Sequence, residues 1–250
     1  MKYSSYNMGA TMFELICVTS KDFYGVNHTY EAWSASKALY DVAVKAVSTE
    51  RKDRYQAFIE LVTAWNDAKK VNDFKYRQMF LSDITQDMLT HFNRYQYVEN
   101  DWYPDGHCGY FLVHQPHVEN WDNAEKIKII EKWRIALNNG GKSFCAYDGN
   151  KLVGLSFIDG VKLGFEKQYI ELLYFHVSYE YRAKGIGKKL FCLCAEAALE
   201  LQCKKLYIVA SSSEESQKAY HKLGCVYAKE LIPHLYEQRP YDVHMEYVLK

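Results

Sequence analysis

Tyr169-Ile-Glu-Leu-Leu-Tyr-Phe-His-Val177, then Arg182-Ala-Lys-Gly-Ile-Gly187, then an amphipathic run to Cys203, decides how this chain of 250 residues folds. An apolar strand enters a turn with two glycines, and a helix leaves it. The first amides of a helix lack intrahelical acceptors, and the macrodipole adds partial positive charge at that end. Such a turn suits a phosphate or pyrophosphate held mainly by backbone. Two better-known phosphate loops are excluded by spacing. G-x-x-x-x-G-K-[ST] requires glycine where Arg182 stands and a hydroxyl residue where Lys189 stands. A dinucleotide fingerprint requires a third glycine where Leu190 stands.

The run after the turn places Leu190, Phe191, Cys194, Ala197, Ala198 and Leu201 on one helical face, with Lys188, Lys189, Glu196 and Glu200 elsewhere. A second strand follows, Lys205-Leu-Tyr-Ile-Val-Ala210. Strand, helix, strand at this spacing predicts a βαβ unit with parallel strands and a right-handed crossover. A serine cluster (Ser211, Ser212, Ser213) and a short helix ending Ala219-Tyr-His-Lys-Leu-Gly224 come next. Residues 226–232 and 241–249 read as two closing strands, the latter alternating Val243, Met245, Tyr247 and Leu249 with Asp242, His244 and Glu246. Upstream, Asp148-Gly-Asn150 between alternating apolar runs over residues 142–158 predicts a hairpin.

The loop R-x-x-G-x-G at Arg182–Gly187 resembles the acetyl-CoA pyrophosphate loop of the GNAT family of N-acetyltransferases. The downstream segment is similar to the family's N-x-x-A-x-x-F-Y-x-K-x-G-F. It aligns Ser213, Ser216, Ala219, Tyr220, Lys222, Gly224 and Cys225, of which the tyrosine, lysine and glycine are kept. The resemblance covers roughly residues 86–250. It implies a mixed α/β GNAT-type acyltransferase fold, with a mixed sheet whose parallel strands splay around the coenzyme.

The resemblance also implies site residues. Backbone groups of the first parallel strand, at Phe175, His176 and Val177, would bind the pantetheine arm. The loop from Arg182 through Ala183, Lys184, Gly185, Ile186 and Gly187 to Lys188 would take the pyrophosphate, with Ser213 and Ser216 also on the coenzyme. Tyr220 would be the general acid toward the departing thiolate. Glu171 lies eleven residues before Arg182, the spacing at which histone-type members place a glutamate base, and Leu172 and Leu173 supply an apolar setting that raises a carboxyl pKa. His176 is its rival. Simple alternation puts the two on opposite faces, and a bulge in the strand reverses that parity. The implied activity is acetyl transfer from acetyl-CoA, the co-substrate, to an amine by direct attack on the thioester. The alternative is a catalytically silent acyl-CoA-binding module.

Residues 98–121 combine acids, aromatics and histidines. Glu99, Asp101 and Asp105, walled by Trp102 and Tyr103, read as an acceptor pocket for a cationic amine. His107, Cys108, His114 and His117 fit no standard zinc spacing, so no metal is expected.

Residues 1–85 read as a separate, mainly helical extension that resembles no family. A strand-like run, Met12–Val18, precedes helical patterns at about 30–47 and 50–69, with Thr29 and Thr49 as N-caps. The second pattern carries Tyr55, Phe58, Ile59, Val62 and Trp65 on one face. Residues 51–70 hold five basic and three acidic side chains, too slight an excess for a DNA-binding face. Packing on the catalytic domain or on a second copy is the expectation. Lys plus Arg and Asp plus Glu each number 31, so no global charge argues for nucleic acid or an anionic membrane. Seven scattered cysteines without a C-x-x-C pair, and no long apolar stretch, read as a cytoplasmic protein.

Overall fold

The computed structural model describes residues 36–69, 74–105 and 109–250. The readings at Met12–Val18, Thr29, the first residues of the pattern at 30–47, His107 and Cys108 lie outside the described residues. Two compact units are present, one ending at Lys75 and including the hairpin tip Tyr147–Lys151, the other formed by Tyr76–Ala146 and Leu152–Lys250.

In the first unit, α1 (Lys37–Ala46) starts at Ser36, whose Oγ accepts the Leu39 amide. Val42 and Ala46 of α1 pack on Leu61 and Ala68 of α2 (Phe58–Ala68), with Leu39, Tyr55 and Trp65 around them. The second helix starts later than the sequence suggests, and Thr49 does not cap it. Arg54 instead donates to the Ser48 and Thr49 carbonyls, which holds residues 48–54 in an irregular link. The N-cap of α2 is Ala57. Phe58 and Ile59, expected on the apolar face, are exposed.

The second unit is built on a seven-stranded sheet of order β1-β4-β5-β6-β7-β9-β8. Its strands are β1 (Lys75–Met79), β4 (Lys142–Asp148), β5 (Lys151–Leu163), β6 (Tyr169–Val177), β7 (Lys205–Ala210), β8 (Val226–Tyr227) and β9 (Val243–Val248). The Asp148-Gly-Asn150 turn forms as expected, with Gly149 at φ 57°. A separate antiparallel ribbon, β2 (Gln96–Pro104) with β3 (Tyr110–Glu119), occupies the segment expected to be an acceptor wall. The Trp102 amide donates to the Ser212 carbonyl at 2.8 Å, which docks the ribbon on the end of β7. Helix α3 (Asn123–Asn138) follows, opened by a capping box between Asp122 and Glu125.

The βαβ unit is present. Helix α4 (Ile186–Glu200) buries Ile186, Leu190, Phe191, Cys194, Ala197 and Ala198, the face that the periodicity gives apart from Ile186. Strands β6 and β7 are parallel over three pairs only, Tyr169↔Lys205, Ile170↔Leu206 and Glu171↔Tyr207. From there they part: β7 continues along β9, and β6 continues along β5. The mixed sheet therefore splays, and the edge of β6 beyond Glu171 is not paired with β7.

The closing region differs from the expectation. The first of its two strands ends at Tyr227 rather than residue 232: the Ala228 amide makes the last ladder bond, to the His244 carbonyl, and the Lys229 amide turns onto the Glu246 carboxylate. A short helix, α6 (Pro233–Gln238), fills the rest, with proline at its first position. Along β9 both faces are buried from Val243 to Glu246. The polar members are satisfied inside: Glu246 accepts from Tyr169 at 2.5 Å and from Lys205 at 2.8 Å, and His244 Nδ1 lies 2.8 Å from the Tyr207 hydroxyl. Among the described residues no helix is long and apolar enough to cross a membrane.

Candidate active site

The turn after β6 is shaped by backbone. Ala183 and Gly185 adopt positive φ, 61° and 84°, a region that glycine enters without cost. Gly187 serves a different need: a Cβ there would meet the Phe175 ring at 3.3 Å. Helix α4 starts at Ile186, so the amides of Ile186, Gly187 and Lys188 have no acceptor within the helix. Arg182 braces the turn. Its Nε donates to the Val177 carbonyl and its Nη2 to the Arg94 carbonyl, each at 3.2 Å. Lys184 lies over the Tyr181 ring.

Strand β6 bulges at Leu173. Phe157 pairs with Tyr174 but the next residue, Ile158, pairs with Leu172, so one extra residue sits on β6. This reverses the parity that simple alternation gives. Tyr174 stacks on Phe157, which stacks on Trp133 of α3, and His176 meets Trp121 edge-on at 4.7 Å. Two positions and one bulge residue separate Glu171 from Tyr174, so Glu171 shares that face with Tyr174 and His176. Burial raises the Glu171 carboxyl to about 7 against the opposing charges of Arg239 and Lys132. The His176 imidazole is pushed well below its usual range by burial, with Arg94 and Arg182 adding to the effect.

The opposite face of β6 carries Phe175 against Phe191 of α4 and Tyr220, with ring centroids 5.8 and 5.9 Å apart. Tyr220 belongs to α5 (Glu214–Leu223), which Ser213 caps and Gly224 ends at φ 95°. Among the described residues its hydroxyl has no hydrogen-bond partner, and burial raises its pKa.

These elements surround one cleft of about 1030 Å³. Of the residues singled out from sequence, Phe175, His176, Val177, Arg182, Ala183, Gly185, Gly187, Lys188, Ser216 and Tyr220 line it. Glu171, Lys184, Ile186 and Ser213 do not. The Ile186 side chain is in the core, 1% exposed. Ser213 is buried, with its Oγ engaged by Gln96 and Ser216, so its side chain caps α5.

The residues expected to form an acceptor pocket do not line this cleft. Asp101 is buried, accepts the Ser212 hydroxyl at 2.9 Å and pairs with His117 at 3.4 Å. Neither it nor Glu99, Asp105, Trp102 or Tyr103 lines the cleft. The ribbon supplies Glu119 instead, and the residues before it supply Arg94 and Tyr95. Arg239 and Asp242, after α6, complete the opposite wall, their side chains 3.7 Å apart. Sequence reading missed all of these, since nothing local marks residues so far apart as neighbours.

The cleft thus joins the N-terminus of α4, the edge of β6 that β7 leaves and, among the described residues, a tyrosine hydroxyl without a partner. Among solved structures, nourseothricin acetyltransferase shares the fold at 16% identity and a TM-score of 0.54, over 72% of this chain and 100% of that one. A putative streptothricin acetyltransferase from Bacillus anthracis, in complex with acetyl coenzyme A, does so at 15% identity and the same TM-score and coverage. No curated protein sequence matches the chain. Residues 95–225, just over half of the chain, match the family described as Acetyltransferase (GNAT) family, and the chain belongs to it.

Proposed function

We propose that the protein transfers an acetyl group from acetyl-CoA to an amine by direct attack on the thioester, using the cleft between β6 and β7. The carrying observation is the free Tyr220 hydroxyl, which shares a cleft with the splayed end of β6 and the α4 loop. The pyrophosphate of the coenzyme lies on the amides at Gly185–Lys188, where backbone dipoles and Lys188 favour an anion. The pantetheine arm runs along the β6 edge from Phe175 to Val177, which brings the thioester to Tyr220.

Each step then has a residue. A neutral amine attacks the carbonyl, the N–C bond forms, the C–S bond breaks, and the electron pair goes to sulfur. Tyr220 gives its proton to that sulfur; its raised pKa keeps it protonated until charge develops. Glu171 accepts the ammonium proton, and a carboxyl at about 7 is poised for this near neutrality. His176 is the second reading for the base, because it lines the cleft and Glu171 does not.

The test is radiolabelled acetyl transfer from acetyl-CoA to a panel of small amines, polyamines and peptides. Acetylated product is the expected result. Calorimetric binding of acetyl-CoA with no product from any acceptor class would favour the silent acyl-CoA-binding module.

A further inference from the structure

The cleft contains a buried arginine that this chemistry does not use. Arg94 is 6% exposed. Its Nη1 donates to Gln96 Oε1 at 3.0 Å and its Nη2 to Glu119 Oε2 at 2.8 Å. Glu119 also accepts the Ser211 hydroxyl at 3.0 Å. Among the described residues, Arg94 Nε has no acceptor. A buried ion pair is a poor stability device, since apolar replacements are often neutral or better, and an unmatched buried N–H adds a further cost. The pair calls for another explanation.

Its orientation supplies one. The charge of Arg94 acts on Tyr220, His176 and Arg182, whereas that of Glu119 acts on Asp242 and, after Arg94, on Arg182. Arg94 and Glu119 line the same cleft as Tyr220, His176 and Asp242; the positive end of the pair lies toward Tyr220 and His176, and of the two charges only that of Glu119 reaches Asp242. Arg94 is also fixed through its main chain, whose carbonyl receives Arg182.

We propose that Arg94 is a positioning residue for the departing thiolate: held by Gln96 and Glu119, its guanidinium turns the positive end of a buried ion pair toward the sulfur that leaves beside Tyr220. This rests on the acetyl-transfer reading above. As the C–S bond breaks, negative charge appears on sulfur. It passes to the Tyr220 oxygen when the phenolic proton moves to sulfur, and is cancelled when the phenolate takes up, through solvent, the proton that Glu171 accepted from the amine. Arg94 stabilises both anions without giving up a proton. A unit charge several ångströms away, at an effective dielectric near 20, is worth well over tenfold in such an equilibrium, and the opposing charge of Glu119 cancels part of it, leaving roughly tenfold for the pair.

The thiol of bound coenzyme A reports this field directly. Its thiolate absorbance is titrated with pH, as a difference against the complex with desulfo-coenzyme A, which cancels the seven cysteines of the chain. In the wild type the bound thiol titrates below the free coenzyme. In Arg94→Gln/Glu119→Gln, which leaves no buried charge unpaired, it titrates about one pH unit higher, roughly tenfold less thiolate. Affinity for desulfo-coenzyme A stays near wild type, and Arg94→Lys recovers most of the thiolate. Glu119→Gln alone removes the opposing charge and lowers the thiol further. Identical titrations in wild type and double variant would overturn the proposal and leave acetyl transfer standing. A Glu119→Gln thiol no more acidic than wild type would overturn it too, should the double variant fail to fold. No coenzyme binding by the wild type would remove both readings.

Discussion

Glu171 and Tyr207 are the last residues that β6 and β7 pair before the two strands separate. The fork between the two strands therefore opens at a carboxyl beside a phenol, just behind the residues that line the cleft. The phenol is already engaged: the Tyr207 hydroxyl lies 2.8 Å from His244 Nδ1 and accepts the Ile232 amide at 3.2 Å. Among the described residues Glu171 has no such partner, and burial dominates its ionisation. The bulge at Leu173 follows at once and turns Glu171, Tyr174 and His176 to one face. The fork thus creates an open strand edge and a carboxyl of raised pKa within three residues.

Replacing Tyr220 with phenylalanine keeps the ring against Phe175 and removes only the proton. General acid catalysis is typically worth about 10²–10⁴-fold, so the single-turnover rate should fall within that range. The dissociation constant for acetyl-CoA, read by calorimetry, should hardly change. A near-normal single-turnover rate would take Tyr220 out of the mechanism.

Glu171 makes two linked predictions. If it is the base, kcat/KM rises with pH to a plateau above about 7, and Glu171→Gln lowers the plateau and removes that limb. A His176 base would instead place the limb well below 6.5, and His176→Gln would abolish it. Stability moves the opposite way. Between the ordinary glutamate value of 4.5 and about 7, the folded state holds a proton that the unfolded state has lost, so wild-type stability falls as pH rises through this window. At pH 8 Glu171→Gln should be more stable by up to about 3 kcal/mol, and the difference should vanish near pH 4.5. Denaturant unfolding at both pH values measures it.

The strand, loop and α4 were legible because they depend on local rules. Glycine at positive φ, an apolar helix face and a short crossover all sit within one stretch. The hairpin at Gly149 was legible for the same reason. The rest of the cleft wall was not, because Arg94, Glu119 and Ser211 become neighbours only when the β2–β3 ribbon docks on the end of β7. Asp101 looked like a ligand for a cation because the sequence does not show the Ser212 hydroxyl that it accepts. The strand read through residue 232 concealed Pro233, whose fixed φ suits a helix start. The alternation of His244 and Glu246 with apolar residues did not show that both are buried, because Tyr207 and Tyr169, their partners, lie on other strands.

The two loop glycines should respond differently to substitution. Gly185 has open space around a new Cβ but φ of 84°, so Gly185→Ala costs roughly 1 kcal/mol of local strain and should weaken acetyl-CoA binding. At Gly187 the φ is ordinary and the neighbour is the Phe175 ring, so Gly187→Ala needs only a few tenths of an ångström from that ring and should bind nearly normally. Gly187→Val should displace Phe175 and lose affinity through the pantetheine channel. Calorimetry with acetyl-CoA across the three variants checks the order; a Gly185→Ala protein of full affinity would remove the loop conformation from the binding account.

Tyr207→Phe tests how the far wall is held. The Arg239 carbonyl can only accept, so His244 Nε2, 3.2 Å away, carries the proton, and Nδ1 accepts from the Tyr207 hydroxyl. Removing that hydroxyl leaves Nδ1 without its donor and the Ile232 amide without its acceptor, both buried. The expected loss is about 1–3 kcal/mol of unfolding free energy at pH 8. The wild type also loses stability as pH falls through the ordinary histidine range. Burial lowers the folded-state pKa of His244, so the unfolded chain takes up a proton first. Arg239 is tied to this relay through its carbonyl and lines the cleft, so Tyr207→Phe should raise KM for the acceptor more than the dissociation constant for acetyl-CoA. An unchanged stability at pH 8 would mean that His244 and Ile232 find other partners, and an unchanged acceptor KM would detach the relay from the acceptor wall.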